Sequence, residues 1–257
     1  MADPEDLNDD FYSEELLRLP NGFLCYQPLE TAPEITAKDT PSNEIRFGSF
    51  NNLAKLSGQT FDAWAAAMHA VPNSTLYLKR QQLIHKNARA HVINEFAQRG
   101  ISQDRLILKT SKAKIEQHLD EYNNIDIALD SVPYNGTTTT LEALWMGVPV
   151  ISLIGTTHAS RVSASILNRL ELSDLACKNI RTFAEKAKEL SDNVELRQSL
   201  NSNLRNTMSK SSLMNERQFT DEFTSALRNQ WQNWCMERNI EQGLQAPSSS
   251  LLPGVTQ

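Results

Sequence analysis

The sequence has no run of about 18 apolar residues, the length a membrane-crossing helix needs. It has only three cysteines, Cys25, Cys177 and Cys235, far apart and unable to form a closed set of disulfides. Reduced thiols in a cytoplasmic protein are the simplest reading. Basic residues are outnumbered, 25 against 31 acids, for a net charge of −6. A nucleic-acid binder needs a basic face for phosphate contacts, so that class is disfavoured. The N-terminus carries seven acids and no base in its first fifteen residues, the opposite of a secretory leader. None of the nine glycines forms GxGxxG or GxxxxGK[ST], and there is no GxSxG. The five histidines form no HExxH and no metal-ligand spacing. Dinucleotide-dependent redox enzymes, P-loop NTPases, serine hydrolases and zinc hydrolases thereby lose their usual signatures.

What is present is a core-forming composition, 40% hydrophobic and 22% charged. Residues 1–44 read as an acidic segment and linker, punctuated by Pro28, Pro33 and Pro41. From Ile45 onward strand-like and helix-like segments alternate. Strands are expected at 45–50, 74–79, 105–109, 125–130 and 148–153. Helices are expected at 60–71, 87–98, 112–122, 138–146 and 159–170. At least five strands alternating with helices imply an α/β fold with a doubly wound parallel sheet. Helices follow from Arg181, ending in 215–238. Its stripe of Phe219, Phe223, Leu227, Trp231 and Trp234 is expected to face the core, with a membrane or partner face as the other reading. Residues 45–240 form the expected domain, and 241–257 read as a disordered tail.

Ligands of open α/β sheets sit beyond the carboxyl ends of the strands. There the strand ending at Asp130 leads through Pro133, Asn135 and Gly136 into four threonines, Thr137 to Thr140. β-Branched residues are poor helix starters, whereas a helix N-terminus with added hydroxyls suits a phosphate. Capping would account for one of the threonines. Glu142, one turn in, could accept ribose hydroxyls or merely favour the helix dipole. After the first strand, Asn51 and Asn52 fit a turn, and Lys55 could reach the same ligand or sit in solvent. His118 and His158, taken singly, read as structural.

Together FGSFNNLAK (47–55), DSVPYNGTTTTLEALWMGVPVISL (130–153) and HASRVSASIL (158–167) resemble the C-terminal half of the catalytic region of the O-GlcNAc transferase/SPINDLY family, its bacterial members in particular. LRLPNGFLCYQP (17–28) resembles the linker between that family's two catalytic halves. The resemblance covers roughly residues 11–240. It implies a Rossmann-like, donor-binding domain of a GT-B glycosyltransferase, inverting and metal-independent, moving a sugar to Ser/Thr of a protein acceptor without a cofactor. By resemblance, Lys55 contacts the donor diphosphate and carries the catalytic charge stabilisation. Gly136, Thr137, Thr138 and Thr139 contact phosphates and sugar. Glu142 holds the ribose, His118 lies near the nucleoside, and Asn52 stands where the family has Gln. Animal members carry His at the position of Thr137 and Asp at that of Glu142.

The resemblance makes UDP-GlcNAc the first expected donor and GDP-fucose the alternative. It also implies a preceding TPR and first catalytic half as partner. A non-catalytic nucleotide-sugar-binding module is the second reading, and an interaction protein built on the C-terminal helices the third.

Overall fold

A computed structural model describes residues 2–5, 7, 9–38, 41, 44–110 and 115–237. The expected tail 241–257 lies outside the described residues, as do Lys112 to Lys114 and Arg238.

Six parallel strands form one sheet: β1 (Arg46–Ser49), β2 (Thr75–Lys79), β3 (Leu106–Lys109), β4 (Ile127–Leu129), β5 (Val150–Leu153) and β6 (Ala176–Cys177). Their order is β3-β2-β1-β4-β5-β6. The chain therefore winds outward from β1 in one direction, returns to the centre and winds outward in the other. With crossovers of one hand, this places helices on both faces. The central register sets Phe47 opposite Ile127 and Gly48 opposite Ala128. β5 is buried at all four positions, as strands covered on both faces must be. β3, at one edge, keeps its side chains partly exposed. The two-residue β6 is too short to leave a periodic signal, so the sequence shows five strands and the structure six.

The helices are α1 (Gly58–Ala70), α2 (Lys86–Ala97), α3 (Ile115–Asp120), α4 (Thr138–Trp145), α5 (Val162–Asn168), α6 (Ile180–Asp192), α7 (Val194–Lys210) and α8 (Glu216–Glu237). α1 packs on α2 and α6, and α4 on α7. Phe47, Trp64, Phe61, Ile127, Leu141, Ile151 and Phe183 anchor a continuous apolar core. α4 ends at Gly147, whose φ of +71° only glycine adopts cheaply; an added Cβ would lie 2.5 Å from the Asn201 carbonyl oxygen.

Two expectations change here. The 1–44 segment is partly embedded: Leu24 and Tyr26 pack against the core, and Lys38 is buried. The stripe on α8 does not face the core. Phe223, Leu227, Trp231 and Trp234 are exposed, Trp231 at 59%. α8 leaves the domain after the turn Ser212–Met214 and is tied to it through Glu222, which accepts a bond from Asn21 Nδ2. The helical period was right, but period alone does not say which face finds a partner.

No helix among the described residues is long and apolar enough to cross a membrane.

Candidate functional site

The site grows from the carboxyl ends of β1 and β4, adjacent strands separated by eighty positions in sequence. Asp130, one residue past β4, is buried among donors. It accepts from the Ser131 N–H at 2.8 Å, the Gly136 N–H at 2.7 Å, Ser152 Oγ at 2.7 Å and Asn51 Nδ2 at 3.2 Å. Burial pushes its carboxyl upward, and Ser163, the Gly136 N–H, Ser152 and the Ser131 N–H pull against that shift. Its peptide oxygen accepts from the Trp64 indole at 2.8 Å. The 131–136 turn is fixed a second time from α1. There Ser57 and Thr60 form a capping box, and the Thr60 hydroxyl donates to the Val132 carbonyl at 2.6 Å. Gly136 has no room for a side chain, since a Cβ would meet the Thr139 and Thr140 hydroxyls at 2.6 Å.

The four threonines then divide. Thr140 pairs with Ser163 Oγ at 3.0 Å, and Thr139 donates to Asn51 Oδ1 at 2.7 Å. Thr137 occupies the N-cap position but makes no capping bond. Thr138 is exposed. Capping therefore explains none of the four, and the N–H groups of the first turn of α4 receive no side-chain acceptor from Thr137.

Lys55 reaches this helix start. Its Nζ donates to the Asn135 carbonyl at 2.8 Å and lies 4.0 Å from the centre of the Tyr134 ring. Burial lowers its pKa, Asp130 raises it and Arg80 lowers it further. Asn135 is 0% exposed, and its Oδ1 has no hydrogen-bond partner among the described residues. Asn52 makes its hydrogen bonds beside Lys55. Its Oδ1 caps Ala54 N–H at 3.1 Å and accepts from Gln82 Nε2 at 3.0 Å, which holds the turn Leu53–Lys55 that presents Lys55.

Glu142 and His118 meet on the other side of α4. His118 Nε2 is 3.1 Å from Glu142 Oε2, and the single Tyr122 O–H hydrogen is shared between that oxygen at 3.3 Å and the Thr139 carbonyl at 3.2 Å. Phe50 packs on Tyr122, with ring centroids 4.3 Å apart, and on His118 at 5.7 Å. Burial raises the Tyr122 phenol well above its ordinary value, with Glu142 adding to the effect, so it remains a donor.

His158 stands apart from this group. It contacts Asp3 at 2.5 Å and packs against the Phe23 ring at a tilt of 55°.

Sequence reading missed four contributors. Asp130 and Asn51 look like strand-end and turn residues, and Tyr122 like core. Arg80, at the end of β2, has a buried Nε with no partner among the described residues. A cation at the carboxyl end of a strand beside the first was the available signal.

The arrangement offers a cation and a helix N-terminus with unengaged donors at the strand ends and, on the other side of α4, the buried Glu142 carboxylate. Such a set can hold an anionic group next to hydroxyl-bearing rings.

A family model described as "Glycosyl transferase family 41" matches residues 33–223. A SPINDLY protein of Solanum lycopersicum, described as a probable UDP-N-acetylglucosamine–peptide N-acetylglucosaminyltransferase, is 37% identical over 236 residues, which are 91% of this chain and 25% of the relative. The Arabidopsis thaliana SPINDLY protein is 36% identical over 91% of this chain and 26% of its own length. Among solved structures, a mutant O-GlcNAc transferase of Thermobaculum terrenum superposes with a TM-score of 0.83 at 31% identity, covering 90% of this chain and 44% of that one. An Anabaena protein solved with UDP and glucose shares the fold alone, at 15% identity over 73% of this chain and 49% of its own, with a TM-score of 0.51. The chain spans about a quarter of the length of the curated relatives it matches.

Proposed function

Because this chain belongs to glycosyltransferase family 41, we propose that it is the nucleotide-sugar-binding half of a protein O-glycosyltransferase, acting on Ser/Thr hydroxyls with inversion and without a metal. The observation that carries the reading is the convergence of Lys55 and the uncapped start of α4 on Asn135. Transfer leaves negative charge on the departing nucleotide diphosphate. Lys55, the first-turn N–H groups of α4 and the Thr137 and Thr138 hydroxyls are placed to stabilise it. The Gly136 N–H is not, because Asp130 already holds it. Glu142, kept in position by His118 and Tyr122, accepts ribose hydroxyls on its remaining oxygen. UDP-GlcNAc is the first candidate donor, since the relatives' names specify it; GDP-fucose is the alternative. In this reading the protein works in the cytoplasm, with a protein acceptor and a TPR-bearing first catalytic half as partners.

A second reading, a nucleotide-sugar-binding module without activity of its own, is favoured by one observation. The two carboxylates at the site are both engaged, Asp130 by four donors and Glu142 by its contacts with His118 and Tyr122, so neither is a ready base for an acceptor hydroxyl. Calorimetry with UDP, GDP, UDP-GlcNAc and GDP-fucose tests binding and ranks donors. Sugar transfer to a peptide library, with the chain alone and with a supplied first catalytic half, separates the readings. We expect binding by the chain alone and transfer only with the added half. Positioning two reactants is worth about 7–11 kcal/mol of barrier. Failure of all four ligands to bind would reject the donor site.

A further inference from the structure

Resting on the donor-site reading, we propose that Asp130 and Asn51 are positioning residues that fix the polarity of Thr139, so that its hydroxyl accepts a hydrogen from the ligand's sugar or ribose and does not donate to the diphosphate.

The argument is a chain of forced hydrogen-bond directions. An ionised carboxylate only accepts. Asp130 meets two backbone N–H groups, from Ser131 and Gly136, and these cannot be anything but donors. The Asn51 side chain is buried against the same carboxylate, so its NH2 end must face Asp130 Oδ1, 3.2 Å away. Its oxygen therefore points the other way, to Thr139 Oγ1 at 2.7 Å. An amide oxygen has no hydrogen to give. The Thr139 hydroxyl must supply one, and it has only one. What remains on Thr139 Oγ1 is lone pairs.

A diphosphate at neutral pH is rich in acceptors and offers no hydrogen to such an oxygen. The hydroxyls of ribose and sugar, and an acetamido N–H, do. Thr137 and Thr138 differ. Thr137 makes no capping bond and Thr138 is exposed, so their hydroxyl hydrogens are available to phosphate oxygens. Neighbouring threonines on one turn are thus given opposite tasks, and the distinction is set by residues that do not touch the ligand. Tight packing preserves it. A Cβ at Gly136 would lie 2.6 Å from Thr139 Oγ1 and 3.1 Å from Asn51 Oδ1, so the group has no slack in which to rotate.

The experiment uses the full chain and two probes, inorganic pyrophosphate and UDP-GlcNAc. Thr139→Val is expected to weaken UDP-GlcNAc about tenfold and pyrophosphate by less than twofold, while Thr138→Val weakens both. In an Asn51→Ala background the Thr139 hydrogen is released, and Thr139→Val should then weaken pyrophosphate as well. Equal losses for both probes on Thr139→Val in the otherwise unaltered chain would overturn the proposal and leave the donor site standing. No binding of either probe to the unaltered chain would overturn both. A ligand-free measurement decides the polarity independently. By NMR, the Thr139 hydroxyl proton should exchange slowly with water in the unaltered chain and rapidly in Asn51→Ala. Rapid exchange in the unaltered chain overturns the assignment.

Discussion

Lys55 Nζ donates to the carbonyl oxygen of Asn135 across 2.8 Å, although eighty positions separate them in sequence. The contact holds the ammonium beside the start of α4 before any ligand arrives. Lys55→Ala should therefore reduce UDP affinity about 10- to 100-fold, roughly the 1.5–3 kcal/mol of a charge-assisted hydrogen bond. Calorimetric titration of the variant checks it, and an unchanged Kd would remove Lys55 from the site. Burial also holds the Lys55 pKa below the ordinary lysine value, so affinity should begin to fall with rising pH earlier than an exposed lysine would dictate.

Arg80 is expected to be a second cation for the diphosphate. Its buried Nε has no partner among the described residues, and its charge depresses the pKa of Lys55. Arg80→Gln should weaken UDP about tenfold, or about 1.4 kcal/mol, and leave uridine, which lacks phosphates, unaffected. Parallel titrations of the two ligands test this; equal losses would show that Arg80 only supports the fold.

Lys38 gives a pH signature of folding rather than binding. It is 7% exposed, and burial pushes its pKa down to about 8 from 10.5. Between these values the unfolded chain binds more protons than the folded one, so this residue's contribution makes stability rise with pH across that window. Below pH 8 the full cost of burying the charge is present. Lys38→Met removes the titration. Its stability relative to the unaltered chain should be most favourable below pH 8 and decline as pH approaches 10.5. Urea unfolding at pH 7 and pH 10 measures the difference, and a constant gap would contradict it.

Two tryptophans should behave oppositely. Trp64 is fully buried and donates to the Asp130 peptide oxygen, so Trp64→Phe should cost about 1–3 kcal/mol by leaving that oxygen unmatched. Trp231 is 59% exposed, and Trp231→Gln should change stability by no more than about 0.5 kcal/mol. Circular dichroism during urea unfolding compares them. A large loss on Trp231→Gln would mean that α8 is packed in solution.

Much of this molecule is readable before folding because its local and global signals agree. Apolar runs of strand length alternate with helical periods, and Gly100 and Gly147 stop α2 and α4 where the pattern stops. The threonine run is legible as an anomaly, since four β-branched residues at a helix start need a reason. Asp130 and Asn51 are not legible. Their importance comes from a pairing of β1 with β4 that no local window contains. Asn52 shares a motif with Lys55, and its Oδ1 accepts both from Ala54 in its own turn and from Gln82 thirty residues on, a pairing that no local window contains. The α8 stripe marks a limit of another kind, because hydrophobic period reveals that a face exists and is silent on what covers it.

The strand order also has a kinetic meaning. β1 must wait for β4, and Phe47 cannot meet Ile127 until two βα units between them have been made and folded aside. Closing so long a loop carries an entropic barrier that local helix formation does not relieve, and non-local pairing slows folding. Lys55, Asn51 and Asp130 lie on the two sides of that seam. A chain emerging from the ribosome can form β1, β2 and β3 in sequence, yet the two sides of the proposed donor site cannot meet until residues beyond 140 are available. Nucleotide binding should thus appear as one of the last events of folding, reporting closure of the centre of the sheet.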